Sequence, residues 1–491
     1  MKTLYKRALA LLGTIFMMTA VGCNVKPGAS GSALDPKKPV TITIWNYYNG
    51  DQMVAFDRLV EEFNTTVGTE KGIVAVTVSQ GDVNTLADAL LDSVNGKAGA
   101  QETPTLASVY SETAYILNQS QQLVALDAYF TEEELNVYVP AFIEEGRFST
   151  DNGLLLFPIS KSTEVFAANE TDWADFAAAT GITLESIQTK EDLTRAAEAY
   201  YLWTDSLTPD IAEDGKALYG RDSVANYIYI GNYQLGHELF KVESGKVTVD
   251  FDHDTFKTLW DNYYIPYING YFGAFANFRS EDAKTGKILA LTSSSSGVGY
   301  LPTQVTLADD STHDIQMTFS KELRFKDAKE NAAVQQGAGY CLLKSTPAQQ
   351  EGAVEFLKWF TQPERNINFA LMSGYSPVMR SSNTDSAIQS YYTGDVTTQK
   401  GKNVLNTLLI GANIFANDTP YATKPFNGSK EVRSILESSL KERAQADRES
   451  VLSDIASGKS RAEAVAPFAT DAYFDAWFEN VRTEVLQAVG Q

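Results

Sequence analysis

The stretch that decides the fold runs from Gly337 to Arg380 and reads GAGYCLLKSTPAQQEGAVEFLKWFTQPERNINFALMSGYSPVMR. It opens on a short apolar run, Tyr340 to Leu343, which is typical of a buried strand. Gly337 and Gly339 lead into this strand, and their lack of a side chain lets another backbone approach closely.

Two helices are predicted after this strand. Thr346 is a good N-cap, Pro347 suits the first helical position, and Gln349 completes a capping box. The first helix carries an apolar face formed by Ala353, Phe356, Leu357 and Phe360. Because that face must be covered, the helix is expected to lie on a core.

The second helix is predicted to begin with another capping box, made by Thr361 and Glu364. Gly374 is a left-handed C-terminal stop for it. The segment that follows, Tyr375 to Val378, is predicted to form a turn that carries an aromatic side chain.

The first strand of the globular part, Val40 to Trp45, leads through a helix from Asp51 to a second strand, Ile73 to Ser79. In open α/β sheets, ligands bind beyond the carboxyl ends of the strands. Trp45 to Tyr48 are therefore placed where a ligand would lie. The alternative, that Trp45 and one of the tyrosines belong to the core, stays open.

The rest of the chain continues the alternation of strands and helices. Strands are predicted at 105–110, 153–157 and 286–291, and helices at 82–95, 402–415, 432–440 and over 461–489. Asp250, Asp252 and Asp254 superficially suggest a calcium loop, but Thr255 and Asp261 stand where an EF-hand requires Gly and Glu. Helix capping by Asp252 or Asp254 is the better account.

Composition limits the class of protein. A chain of 491 residues exceeds the roughly 250 to 300 residues at which single domains stop growing, so more than one core is expected. The net charge of −22 disfavours nucleic acid as a partner, although it allows one local basic site. There are only two cysteines; Cys341 lies in an apolar run and is interpreted as a buried, inert thiol.

The N-terminus has the features of a secretory signal. Lys2, Lys6 and Arg7 precede an apolar run that ends in small residues before Cys23. These residues resemble a bacterial lipobox, in which the cysteine is lipidated; an ordinary signal peptide is the alternative. Residues 1–22 are thus predicted to be a lipoprotein signal peptide and residues 23–39 a flexible tether to the membrane.

No pattern for a cofactor, a metal or a catalytic nucleophile is found. His237, His253 and His313 lack the spacing of a zinc site, and no phosphate-binding loop, dinucleotide fingerprint or nucleophile elbow is complete. Acidic residues are so abundant that a glycosidase carboxylate pair cannot be singled out. We therefore predict a protein that is not an enzyme and needs no cofactor, while a secreted glycoside hydrolase or an adhesin stays as a less favoured alternative.

The strand, the two capped helices and the Gly-Tyr-x-Pro-Val turn resemble the extracellular solute-binding proteins of sugar-type ABC importers, the maltose-binding-protein-like family. The resemblance implies an α/β fold with two lobes, a ligand cleft between them and hinge crossings at 153–162, at 337–344 and after about residue 380. The lobes are expected at 40–157 with 344–395 and at 158–343 with 396–491.

For function, the resemblance implies a monomeric, extracytoplasmic protein, anchored through Cys23, that captures a carbohydrate by closure of the lobes and delivers it to membrane permease subunits. An oligosaccharide is the leading ligand class. Aromatic faces and short polar groups suit such a ligand. The candidate ligand-binding residues are Trp45, Asn46, Tyr47, Tyr48, Tyr110, Ser111, Glu112, Ser160, Lys161, Ser162, Tyr229, Asn232, Ser293, Ser294, Gly297, Gly339, Tyr340, Tyr375 and Tyr421.

The alternative ligand is glycerol phosphate or another phosphoester. It is motivated by the loop from Ser293 to Gly299, which is rich in Ser and Gly and could aim backbone N–H groups at an anion. Lys161 or Lys424 would supply the opposite charge. A solvated surface loop is the plain alternative for the same residues.

Overall fold

The computed structural model describes residues 31–211, 213–243, 245–392 and 396–490. The predicted signal peptide and Cys23 lie outside these residues. The strands are β1 (Val40–Asn46), β2 (Ile73–Ser79), β3 (Leu106–Val109), β4 (Glu164–Asn169), β5 (Tyr219–Arg221), β6 (Phe240–Glu243), β7 (Lys246–Val249), β8 (Ala290–Ser294), β9 (Gln304–Thr306), β10 (Thr312–Asp314), β11 (Met317–Lys321), β12 (Ala332–Val334), β13 (Gly339–Leu342) and β14 (Thr419–Tyr421).

The helices are α1 (Gly50–Phe63), α2 (Thr69–Lys71), α3 (Val83–Val94), α4 (Ser111–Gln119), α5 (Glu132–Leu135), α6 (Pro140–Glu144), α7 (Glu170–Thr180), α8 (Lys190–Ser206), α9 (Val224–Gln234), α10 (His253–Asp261), α11 (Tyr264–Ile268), α12 (Arg279–Lys284), α13 (Pro347–Phe360), α14 (Pro363–Ser373), α15 (Asp385–Tyr391), α16 (Gln399–Asn417), α17 (Ser429–Ala456), α18 (Arg461–Val465) and α19 (Asp471–Ala488). None of the helices in the described part of the chain is both long and apolar enough to cross a membrane.

Two four-stranded sheets organise the two lobes, as the mixed α/β prediction requires. The first has the order β13-β3-β1-β2 and the second the order β11-β4-β8-β5. In the first sheet β1 and β2 are parallel, with Val40 opposite Ile73, while β13 is antiparallel to β3, with Gly339 opposite Val109. Because β13 belongs to the first sheet, we propose that the boundary predicted at residue 343 be moved to before Gly339.

The core of the first lobe explains why the opening stretch is decisive. The face of α13 predicted from sequence is buried, and the ring of Phe356 contacts Phe63 on α1 edge to face, with centroids 5.2 Å apart. The capping box is confirmed: Thr346 Oγ1 accepts from the backbone N–H of Gln349, and the Gln349 side chain accepts from that of Thr346. Gly374 ends α14 with φ of 72°, also as predicted.

Three local predictions are wrong. Thr361 does not cap α14, because its hydroxyl donates to the carbonyl of Leu357 in the preceding helix at 2.8 Å. Residues 153–157 form no strand; only Phe157 bridges to β13, since Pro158 has no N–H to continue a ladder. The strand predicted from Gly286 begins at Ala290 instead, because the N–H of Gly286 closes the end of α12 by donating to Ala283.

The second lobe is built on a separate aromatic core. Trp260 stacks on Tyr264 with ring centroids 3.6 Å apart, and Trp477 and Phe478 of α19 are buried against the same core. Asp252 caps α10 by accepting from the N–H of Thr255 at 2.8 Å, as the sequence predicts. Within the described ranges no group of three His, Cys, Asp or Glu side chains could hold a metal ion.

Candidate ligand-binding cavity

A cavity of about 270 Å³ lies between the lobes. Its first wall is formed by the start of α3 and by α4, which begins directly after the carboxyl end of β3. Its second wall is formed by α9 and by the first turn of α17. The strand β12 and the segment 421–425 after β14 close it at the side where the chain crosses between the lobes. This is the position expected for a ligand in such a fold.

Five of the sequence-predicted residues line this cavity. Tyr110, Ser111 and Glu112 come from the end of β3 and the start of α4, Tyr229 comes from α9, and Tyr421 from the end of β14. The outermost two, Tyr110 and Tyr421, are 311 positions apart along the chain, yet the fold brings them to one cavity. We keep them as the proposed contacts for a ligand.

Four other predicted residues are buried in the cores instead. Trp45 is 1% exposed and packs in the cluster that contains Leu86 and Cys341. Tyr48 and Tyr340 belong to the core of the first lobe, where the Tyr340 ring stacks on Phe56 with an interplanar angle of 13°. Asn232 is fully buried and donates to the carbonyl of Ile228. None of the four lines the cavity, because each side chain is enclosed by its core neighbours.

Tyr47, Tyr375 and Ser294 were also predicted to bind the ligand, but they lie outside the cavity. The hydroxyls of Tyr47 and Tyr375 lie 3.1 Å apart. Ser294 accepts from the N–H of Ser296 and starts a short 3-10 turn, 295–300, that lies against Gly374. The Ser293 to Gly299 loop is therefore occupied by contacts within the protein. Asn46 and Gly339 are likewise used structurally: Asn46 accepts from the N–H of Tyr48, and Gly339 approaches Leu156 closely.

The predicted crossing at Ser160 to Ser162 is fully buried. Ser162 exchanges both backbone hydrogen bonds with Gln336, which ties the first crossing to the second. Lys161 is 1% exposed, and its ammonium group pairs with Glu145 at 2.7 Å and donates to the carbonyl of Gly337 at the same distance. Since its charge is already neutralised, Lys161 is removed from the groups proposed to bind an anion.

The sequence analysis missed the polar residues of the second wall. Asn226 on α9 is 7% exposed; its amide donates to Glu164 at 2.9 Å and to Gln336 at 3.0 Å, and its carbonyl oxygen accepts from Arg433 at 2.8 Å. Ser429 is the first residue of α17, and Arg433 lies one turn further along the same helix. One signal in the sequence could have pointed to this wall: Lys430 and Arg433 stand near the start of a helix, where the macrodipole disfavours positive charge.

Buried charges lie behind Asn226. Glu164 pairs with Arg221 at 2.8 Å, and Arg221 also approaches Glu322, which pairs with Lys190 at 2.6 Å. Burial raises the pKa of Glu164, while the positive charge of Arg221 and the hydrogen bond from Asn226 oppose that shift. The orientation of Asn226, and through it that of Arg433, is therefore fixed from the interior of the second lobe.

Aromatic faces border the same wall. Tyr421 stacks on Tyr233 with ring centroids 4.1 Å apart, and the Arg433 guanidinium lies 6.0 Å from the Tyr229 ring centroid. Burial raises the pKa of the Tyr229 hydroxyl, so it is a neutral donor at physiological pH. Flat faces beside hydroxyl, amide and charged groups can hold a polar molecule that carries both C–H faces and hydroxyls.

Comparison with known proteins identifies the class. The sequence profile of the bacterial extracellular solute-binding proteins matches residues 58–393, and the chain belongs to this family. It is therefore an extracytoplasmic solute-binding protein with two α/β lobes. No curated protein sequence matches the chain.

Solved structures with the same fold bind different solutes. UgpB from Mycobacterium tuberculosis, in complex with glycerophosphocholine, superposes with a TM-score of 0.66 at 16% identity, covering 92% of this chain and 98% of its own. The cyclic alpha-maltosyl-1,6-maltose binding protein from Arthrobacter globiformis gives 0.63 at 16%, with 92% and 99% covered. MalE from Bdellovibrio bacteriovorus bound to maltotriose gives 0.59 at 14%, with 92% and 100% covered.

Proposed function

We propose that this chain is the binding component of an ABC importer and captures a carbohydrate in the cavity between its lobes. The observation that carries the proposal is the composition of that cavity: tyrosines from both lobes, Tyr110, Tyr229 and Tyr421, surround amide and hydroxyl groups. Two of the similar structures were solved for proteins named as maltose or maltosyl-maltose binding proteins, which favours the same ligand class.

The volume favours a short carbohydrate. Ligand pockets usually measure about 300 to 1,000 Å³, so a cavity of about 270 Å³ suits one or two sugar rings better than a long chain. Contacts from both lobes would stabilise the closed arrangement, and that differential affinity is what drives closure and presentation to a permease. The protein acts as a monomer in this proposal.

Calorimetric titration with mono-, di- and trisaccharides tests the proposal. Tyr421→Ala is expected to weaken binding roughly tenfold, because a stacked aromatic contact is lost. Tyr391→Ala is the matched control, since Tyr391 is 38% exposed and does not line the cavity. Absence of binding by every saccharide, or steady turnover of a glycan by the purified protein, would contradict the proposal; the second result would favour the hydrolase alternative.

Anchoring to the membrane through lipidated Cys23 is part of the same proposal. It is motivated by the charged, apolar and small residues that precede Cys23. In the producing bacterium the wild-type chain should fractionate with membranes and the Cys23→Ser variant should be released. Equal release of both forms would argue for an ordinary signal peptide.

A further inference from the structure

The first turn of α17 faces the cavity with donors that lack partners. Ser429 is only 7% exposed and lines the cavity, and its hydroxyl forms no hydrogen bond within the described part of the chain. Gly428 precedes it with φ of 88°, and no side chain caps this 28-residue helix. The N–H of Ser429 donates to the carbonyl of Phe426 at 3.0 Å, whereas the N–H groups of Lys430 and Glu431 have no intrahelical acceptor and no hydrogen bond within the described residues.

Basic residues occupy the first two turns of the same helix. Lys430 and Arg433 both line the cavity, although cations at a helix N-terminus are opposed by the macrodipole. Glu431, the acidic residue of this turn, is exposed and is not among the lining residues. An arrangement that is unfavourable by itself becomes favourable when an anion binds between the basic groups and the helix end.

The charges around the cavity leave one guanidinium uncompensated. Arg433 forms no ion pair with any carboxylate in the described ranges; it is held by the carbonyl oxygen of Asn226 and by the face of Tyr229. Lys424 is paired with Glu144 at 2.6 Å, whereas Lys430 is 3.9 Å from Asp88.

The two carboxylates of the cavity behave differently. Glu145 is neutralised by Lys161 at 2.7 Å. Glu112, on the opposite wall at the start of α4, has no ion pair within the described residues and can accept from ligand hydroxyls. The cavity is thus polarised, with an acceptor on the first lobe and a cluster of donors on the second.

We propose that the N-terminal end of α17, from Ser429 to Arg433, is an oxyanion subsite and that the ligand is a sugar or polyol carrying a phosphate ester. This inference rests on the proposed function, since it assigns the ligand of the same cavity. Enough donors for three terminal phosphate oxygens are supplied by the hydroxyl of Ser429, the guanidinium of Arg433, the ammonium of Lys430 and the backbone N–H groups of Lys430 and Glu431. The hydroxyls of the ligand then lie toward Glu112 and the tyrosines.

The residues differ from those expected from sequence. The predicted anion binders were the Ser293 to Gly299 loop with Lys161 or Lys424. The loop and Lys161 do not line the cavity, and Lys424 lines it but is paired with Glu144 at 2.6 Å. The subsite lies instead in the C-terminal third of the chain. It is a local basic site on a protein of net charge −22, so binding depends on short-range contacts more than on the overall field.

Calorimetry with matched ligands tests the subsite. Glucose is compared with glucose 6-phosphate, and glycerol with glycerol 3-phosphate and with glycerophosphocholine. Glucuronate tests whether a carboxylate can replace the phosphate. The phosphorylated member of a pair is expected to bind at least tenfold more tightly. Arg433→Gln should weaken its binding roughly tenfold to a hundredfold and Ser429→Ala severalfold, with little effect on the neutral member. Lys441→Gln removes the same charge from α17 outside the cavity and is the control.

Each result separates this inference from the proposed function. Neutral sugars that bind as tightly as their phosphates, with affinity unchanged by Arg433→Gln, would overturn the subsite and leave carbohydrate binding intact. Equal losses of phosphate-ester affinity in Arg433→Gln and Lys441→Gln would show that only long-range charge acts on the ligand, and this result would also overturn the subsite. Preference for glucuronate over glucose 6-phosphate would overturn the assignment to a phosphate. Absence of binding by all of these ligands, neutral and charged, would contradict both proposals.

Discussion

The side-chain amide of Asn226 donates to Glu164 at 2.9 Å and so connects the wall of the cavity to a buried carboxylate of the second sheet. Arg221 binds the other oxygen of that carboxylate at 2.8 Å. The side-chain carbonyl oxygen of Asn226 accepts a hydrogen bond from the guanidinium of Arg433. Because all polar atoms of Asn226 are committed, its orientation is fixed, and the same bonds position the guanidinium that we assign to the ligand.

Replacing Asn226 by Ala should lower the free energy of unfolding by about 1 to 3 kcal/mol, because Glu164 loses a donor in a buried environment. The pKa of Glu164 should rise further, since the hydrogen bond from Asn226 holds it down. Urea unfolding measures the loss. Asn480→Ala is the control: Asn480 is an exposed residue of α19, and its removal should change stability by less than about 0.5 kcal/mol. Equal effects of the two substitutions would contradict the role of Asn226.

The Lys161 and Glu145 pair gives a second prediction. Both side chains are buried, at 1% and 8% exposure, and Lys161 also holds the carbonyl of Gly337. Lys161→Met leaves Glu145 as an unpaired buried charge and is expected to cost about 3 to 5 kcal/mol in urea or thermal unfolding.

The matched control for this pair is Lys400→Met. Lys400 pairs with Asp51 at 2.9 Å, but the two side chains are 56% and 70% exposed, so the loss should stay at or below about 1 kcal/mol. If Lys161→Met cost no more than Lys400→Met, the Lys161 and Glu145 pair would not behave as a buried ion pair.

Sequence reasoning located the parts of this molecule that depend on neighbouring residues. The capping box of Thr346 and Gln349 involves residues only three positions apart, and the rule for strand ends was applied to Trp45 and the residues that follow it. The same rule does not say which side chains at a strand end face the ligand. Trp45 therefore entered the list although it is core.

The second wall of the cavity could not be derived in this way. Ser429 and Arg433 reach the cavity only because α17 packs against α9, about 200 residues earlier in the chain. That packing depends on the assembled second lobe and leaves no short-range pattern in the sequence. Likewise, the Ser293 to Gly299 loop looks free in sequence, and only the fold places Gly374 against it.

Gly374 leads to a third prediction. A Cβ at this position would lie 3.0 Å from the carbonyl oxygen of Ser295 and 3.2 Å from the Cα of Ser296, in addition to the left-handed φ of 72°. Gly374→Ala should lower the free energy of unfolding by about 1 to 2 kcal/mol for the backbone and by at least about 1 kcal/mol more for the contact.

Gly181→Ala isolates the backbone contribution. Gly181 ends α7 with φ of 77°, and a Cβ there would meet no atom within 4 Å. The difference in urea unfolding between the two variants measures the contact with the 295–300 turn. A difference near zero would show that the 295–300 turn moves aside at little cost and that its contact with Gly374 does not contribute to stability.

The last prediction concerns pH. The imidazole of His253 lies 2.9 Å from Asp475 and 3.4 Å from Asp254, and the hydrogen bond with Asp475 is the main cause that raises its pKa above the ordinary 6.5. The protonated form is favoured in the folded state. The stabilisation is therefore fully present below pH 6.5 and is lost as the pH rises through the raised pKa.

Proton NMR titration measures this pKa directly, with His253→Gln to assign the signal among the three histidines. Asp475→Asn is expected to bring the pKa of His253 back toward 6.5, because the first carboxylate partner is lost while Asp254 remains. Asp175→Asn removes the same charge from an exposed position on α7 and should leave the titration unchanged. Since this contact joins α10 to α19, a pKa that responds equally to both substitutions would mean that the two helices are not linked through His253 in solution.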